Sequence, residues 1–167
     1  MRSHHLVCAL GAALFLAGCA EKPEPQPPSF YAYLDQPGAT IDVAAAASMI
    51  NLYRQNNGLA PLRPDERLNA AARDMAQQMA DADSVSVSLR AAPLKTRLGE
   101  KGYVAVAAGE NVSAGYRTLA EAFSGWRESP RHDAVMKLAG ATHLGLATAY
   151  APQSKYKVFW ALVVAGD

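Results

Sequence analysis

Apolar residues fall mainly at helical spacing through the first part of this chain and in two long strand-like runs at its end, and that order restricts the fold class. Leu68, Ala71, Ala72, Met75 and Met79 lie on one face of a helix opened by Pro64-Asp65-Glu66. Its methionines read as core filler rather than ligands. Ahead of it, Asp42 can cap a helix that begins at Val43, carries Ala46, Met49, Ile50 and Tyr53 on one face, and stops at Asn57-Gly58. Leu94 and Leu98 mark a short helix ending at Gly102, and Tyr103 to Ala108 reads as a strand leading into Gly109-Glu110-Asn111. Thr118-Leu119-Ala120-Glu121 has the form of a capping box, in which a hydroxyl and a carboxylate each satisfy a free backbone amide. The helix it opens buries Ala122, Phe123 and Trp126 and ends at Ser129-Pro130. A turn of helix over His132 to Leu138 follows. Leu144 to Tyr150 and Lys155 to Val164 then read as two strands of a hairpin joined at Ala151-Pro152-Gln153-Ser154. Between Asp81 and Ala92, serines alternate with Val85, Val87 and Leu89, which fits a short strand or an ordered loop. Helices first and strands last predict an α+β fold, with helices packed on a mostly antiparallel sheet.

The start of the chain bears on destination. Arg2, His4 and His5 precede an apolar run of 13 residues, Leu6 to Gly18. A membrane-spanning helix needs roughly 20, whereas a positive start, a short apolar core and small residues at its end make a secretory signal. The run closes on Leu16-Ala17-Gly18-Cys19, which resembles the lipobox of bacterial lipoproteins. That resemblance implies a signal peptide over residues 1–18 and lipidation of Cys19, with the protein held to a membrane by its acyl chains. Each buried methylene contributes about 0.8 kcal/mol to such an anchor. Ala20 rather than an aspartate follows the cysteine, and the same resemblance then implies the outer membrane, with the domain facing the periplasm or the surface.

Cys8, the other cysteine, lies in the segment to be removed, so the mature chain has no internal disulfide to form and its core must hold by packing. Of 16 Lys and Arg only Arg2 is lost, which leaves 15 basic against 15 acidic residues. With no net charge and no basic stripe, nucleic acid is not an expected partner. Residues 23–28 read Pro-Glu-Pro-Gln-Pro-Pro, a polyproline-type spacer. Residues 19–41 are therefore read as a tether and residues 42–167 as one domain.

Several short motifs occur in a telling order. Asn51-Leu52-Tyr53-Arg54 and Asn57-Gly58-Leu59-Ala60-Pro61-Leu62 come first. Gly102-Tyr103 and Gly109-Glu110-Asn111-Val112 follow, then Trp126 ahead of Ser129-Pro130-Arg131-His132. Leu144-Gly145-Leu146 and Phe159-Trp160 close the set. Together, over about residues 43–165, they resemble the CAP superfamily of cysteine-rich secretory, antigen 5 and pathogenesis-related 1 proteins, and in particular its short bacterial branch without disulfides. The resemblance implies a three-layer α-β-α sandwich and a central cleft whose two His and two Glu can hold a divalent metal such as zinc.

Matched residue by residue, Glu110 takes the place of one cleft Glu and His132 that of the second His. The first His belongs near Ser84 to Ser88, where this chain has none, and the site is short of ligands for zinc. No cofactor is therefore expected. The second Glu falls at Ser129, one residue after Glu128, which can substitute. Glu121 is explained by its capping role, His143 by the end of a strand, and Tyr103, Trp126 and Trp160 by the core. Glu110 has two readings, a ligand contact or a carboxylate that pins its own loop. The expected function is a non-enzymatic, ligand- or partner-binding module of the cell envelope, with a lipid or cell-wall component among the ligand types the resemblance implies. The alternative is a hydrolase in which Glu110 serves as general base and His132 positions the substrate, with or without a metal.

Overall fold

The computed structural model describes residues 28–167. The signal segment, Cys19 and the proline run as far as residue 27 lie outside the described residues. Five helices and four strands follow in the order α1 (Val43–Asn56), β1 (Arg63–Pro64), α2 (Glu66–Asp81), α3 (Leu94–Glu100), β2 (Ala107–Ala114), α4 (Leu119–Glu128), α5 (Pro130–Met136), β3 (His143–Tyr150) and β4 (Val158–Gly166). The caps expected at Asp42 and Thr118 are formed, and Asp65 adds a third. The Asp42 carboxylate accepts from Ala45 N, that of Asp65 from Arg67 N and Leu68 N, and the Thr118 hydroxyl from Glu121 N. The Glu121 carboxylate accepts from Arg117 N at 2.6 Å, one residue upstream of the amide a capping box would use.

The sheet is ordered β1-β3-β4-β2. It is mixed rather than mostly antiparallel, because β1 runs parallel to β3 while β2 and β3 each pair antiparallel with β4. The parallel strand is two residues long and arises where the link from α1 crosses the start of β3, with Arg63 N donating to Thr142 O at 2.9 Å. Every residue of β4 is buried, and its side chains alternate between two cores. Val158, Trp160, Leu162 and Val164 pack with residues of α1 and α4. Phe159, Ala161, Val163 and Ala165 pack with residues of α2 and with Leu98 of α3. The sheet is thus covered by helices on both faces.

Three local readings are corrected by the structure. The strand expected from Tyr103 starts at Ala107. The turn at Gly102, with φ of 78°, and the bond from Tyr103 N to Leu98 O fold the chain back on α3, so Glu110 sits within the strand rather than after it. The second hairpin strand starts at Val158 instead of Lys155, since Lys157 adopts a φ of 63° and closes the turn to Ala151. The segment left open as strand or loop forms a short 3-10 helix, Val85–Leu89, whose Ser84 hydroxyl accepts from Ser86 N.

The tether boundary at residue 41 also moves. Leu34 is 4% exposed within the first core, with Phe30, Ala39 and Ile41 packed against it, and Leu34 N donates to Arg117 O at 2.8 Å. Burial of these apolar residues makes the described part of the expected spacer an integral part of the domain. Among the described residues, no helix is long and apolar enough to cross a membrane.

Candidate functional site

A groove of about 280 Å³ is lined by Val85, Ser86, Ser88, Leu89, Glu110, Val112, Arg131 and His132. Three elements meet there. β2 contributes Glu110 and Val112, which share a face of the strand, the 3-10 helix contributes its serines, and the first turn of α5 contributes Arg131 and His132. Glu110 and His132 thus line one cavity although 21 residues separate them in sequence. Glu128 is not brought to it. Two positions past Trp126 on α4, it points about 200° around the helix from that buried indole and is exposed.

Glu110 is not a free carboxylate. Arg97, in the last turn of α3, donates through Nη1 to Oε1 at 3.1 Å and through Nη2 to Oε2 at 2.8 Å, with its Nε held on Ala92 O. The two side chains are only 14% and 13% exposed. A parallel two-bond pairing of this kind fixes orientation and satisfies both oxygens at once. Neither sequence reading of Glu110 anticipated this partner. The available signal was a single acidic residue in an otherwise apolar or neutral strand, which requires a cation from elsewhere in the fold. Removing that cation is expected to be costly: Arg97→Ala leaves a partly buried, uncompensated carboxylate and should lower stability by about 2–3 kcal/mol in urea unfolding.

The helix that carries His132 is clamped from three sides. Pro130 starts it. Asn111, fully buried on β2, donates from Nδ2 to His132 O at 2.9 Å, while its Oδ1 has no hydrogen-bond partner among the described residues. Tyr53 of α1 donates its hydroxyl to Asp133 at 2.6 Å, and Asp133 also pairs with Lys137. Beneath these, the 1% exposed Arg54 donates from Nε to Ala60 O and from Nη1 to Met136 O and Leu138 O, at 2.8, 2.9 and 3.1 Å. Gly109 lets α5 sit close to β2, since a Cβ there would meet Val135 Cγ1 at 3.2 Å.

Burial, and then the charge of Arg131, hold the His132 pKa below its ordinary 6.5. The imidazole is therefore neutral near pH 7, with one nitrogen free to donate and one to accept. Because the folded-state pKa is depressed, His132 contributes stability that is present above about pH 6.5 and is lost as the pH falls through its folded value. Thermal melts followed by circular dichroism should show that decline, and His132→Gln should flatten it in this range.

The remaining candidates are placed elsewhere. Glu121 caps α4. His143 starts β3, its Nδ1 3.0 Å from the Tyr103 hydroxyl and 2.9 Å from Thr142 Oγ1. Trp126 and Trp160 meet edge to face in the first core, and Tyr103 is fully buried. The groove also offers little to a divalent cation. Both oxygens of Glu110 face a guanidinium, Ser86 and Ser88 lie where the resemblance would put a histidine, and no group of three or more His, Cys, Asp or Glu side chains converges among the described residues.

Comparison with known proteins agrees with the fold. Residues 47–164 match the model of the cysteine-rich secretory protein family, CAP. The chain belongs to that family. Among solved structures, an extracellular protein of Bacillus anthracis containing an SCP domain is 21% identical with a TM-score of 0.61, covering 74% of this chain and 40% of its own. An outer surface protein of Borrelia burgdorferi is 16% identical with a TM-score of 0.66, covering 77% of this chain and 98% of its own. A cysteine-rich secretory protein of Staphylococcus aureus is 16% identical with a TM-score of 0.58, covering 74% and 38%. At these identities the likeness is one of fold. This chain spans less than half the length of the Bacillus and Staphylococcus proteins. No curated protein matches it.

Proposed function

We propose that this protein is a cell-envelope module, anchored through acylated Cys19, whose CAP domain binds a ligand or partner in the groove between β2 and α5 without catalysing a reaction. The observation that carries the non-enzymatic reading is the Arg97–Glu110 pair. A general base needs a carboxylate free to take a proton, with its pKa raised toward the working pH. Glu110 instead gives both oxygens to a guanidinium. The same pairing, with serines in place of the missing histidine, weighs against a metal and against the hydrolase alternative. The groove is better suited to recognition. It presents two hydroxyls, a neutral imidazole, an exposed arginine and the apolar Val85 and Leu89 around a concave surface. Glu128 has no part in it.

Location follows the signal and lipobox pattern of residues 1–19, and the extracellular or outer-surface character of the Bacillus and Borrelia proteins supports it. Mass spectrometry of the protein from its native membrane should find acyl chains on a new N-terminal Cys19; an unmodified or absent Cys19 refutes the anchor. For the groove, the purified mature chain is mixed with a total envelope extract of lipids and cell-wall fragments. A component should be retained by the wild type and lost from Arg131→Ala and His132→Ala. The extract should also come through chemically unchanged. A new product that disappears with Glu110→Gln would establish the hydrolase instead.

A further inference from the structure

The groove lies beside the margin of the sheet, because β2 ends the order β1-β3-β4-β2. Its hydrogen-bonding parity follows from two contacts. Gly115 N donates to Val158 O at 3.0 Å on one side of β4, and Ala151 N donates to Lys157 O at 2.8 Å on the other. In an antiparallel ladder the bonded pairs recur every second residue. The odd-numbered residues of β2 therefore turn their N–H and C=O groups toward β4, and Ala108, Glu110, Val112 and Ala114 turn theirs outward. Among the described residues no hydrogen bond reaches these outward groups from a loop or side chain.

Unpaired margins of this kind are normally short, or blocked by lysine, proline or an unpaired charge, since otherwise an extended chain can add to them. β2 has none of these protections. It is eight residues long, Ala-Ala-Gly-Glu-Asn-Val-Ser-Ala, and its one charge is neutralised by Arg97. Lys95 closes only the near end, donating to Val106 O. Next to the outward groups, Val85 and Leu89 are 40% and 76% exposed, and Arg131 makes no ion pair among the described residues.

We propose that the groove takes an extended peptide segment of a partner protein, which pairs with β2 as a fifth strand. Backbone bonds to Ala108, Glu110, Val112 and Ala114 hold it, an apolar side chain covers Leu89, and an acidic one faces Arg131. This inference rests on the binding reading above and names its class of ligand.

The test begins with selection of a displayed library of random heptapeptides on the mature chain, residues 19–167. Enriched sequences should carry acidic residues. The best is then synthesised in two versions, N-methylated on one or the other set of alternate residues. Only one version has its methyls directed at β2, so one should bind about tenfold or more weakly and the other much as the parent does. Amide hydrogen exchange gives an independent reading. Ala108, Glu110, Val112 and Ala114 should exchange fast in the free protein and slowly with peptide, while Gly109, Asn111 and Ser113 are slow in both. Val112→Pro should abolish peptide binding while sparing the ladder to β4, as it removes only an outward N–H.

Failure of any sequence to enrich, equal binding of the two methylated versions, or outward amides already slow in the free monomer overturns the proposal. So does protection that appears only with rising protein concentration and a doubled mass in sedimentation, which would assign the margin to a second copy. An envelope component that perturbs His132 while the outward amides stay fast would defeat the peptide and leave the ligand-binding reading standing; no response to extract or library defeats both.

Discussion

Gly145→Ala is expected to prevent α2 from seating on the sheet. A Cβ at this position would lie 2.2 Å from the carbonyl carbon of Leu68 and 2.3 Å from Asn69 N, both backbone atoms of α2. No rotamer change relieves a contact with backbone, so either the helix moves outward or β3 bends. Both loosen the core made by Leu68, Met75 and Met79 against β4. Both also pull Asn69 Oδ1 away from Leu146 N, which it accepts at 3.0 Å. Overpacking that side chains can absorb costs about 1–3 kcal/mol, and this case should exceed that range. Urea unfolding of the purified variant checks it; a loss below about 1 kcal/mol would mean that α2 has slack the structure does not show.

The second large effect is expected at Arg54. Its side chain ties the end of α1 to the link at Ala60, to the last carbonyl of α5 at Met136 and to Leu138 O just beyond it. Burial presses its pKa down, and the carbonyl oxygens at the C-terminus of α5 offset part of that penalty through the helix dipole. Arg54→Ala leaves three carbonyls short of a donor and opens a cavity, a combination worth about 3–5 kcal/mol. The function should suffer too. Freed at its C-terminal end, α5 no longer holds Arg131 and His132 against β2, so retention of an envelope ligand should fall even at temperatures where the variant remains folded. Arg54→Lys restores charge without the fork of donors and should recover only part of the stability.

How much of this was legible beforehand depended on whether the signal was local. The stripe of Leu68, Met75 and Met79 and the caps at Asp42 and Thr118 are consequences of neighbours three or four residues apart, and they fold as read. The parallel β1 was not legible, since two residues carry no alternation and their pairing is set by a strand some 80 residues later. Nor was the packing of Phe30, Leu34 and Ile41, spaced among prolines and glycine as a tether would be. At the candidate site, motif order pointed to Glu110 and His132. It could not supply Arg97, because nothing in its own helix marks that arginine as the partner of a carboxylate 13 positions on. Glu128 failed for a local reason that was available: two residues after a buried tryptophan is the wrong side of a helix.

The two tryptophans, Trp126 and Trp160, are the only ones in the chain and both belong to the first core, their indole N–H groups donating to Ser113 Oγ and Tyr116 O. Intrinsic emission therefore reports the α1 and α4 side of the sheet and is nearly silent about α2 and α3. A variant that loosens only the α2 layer would keep its native emission spectrum while its far-ultraviolet ellipticity declined, and a stability measured by fluorescence alone would miss it.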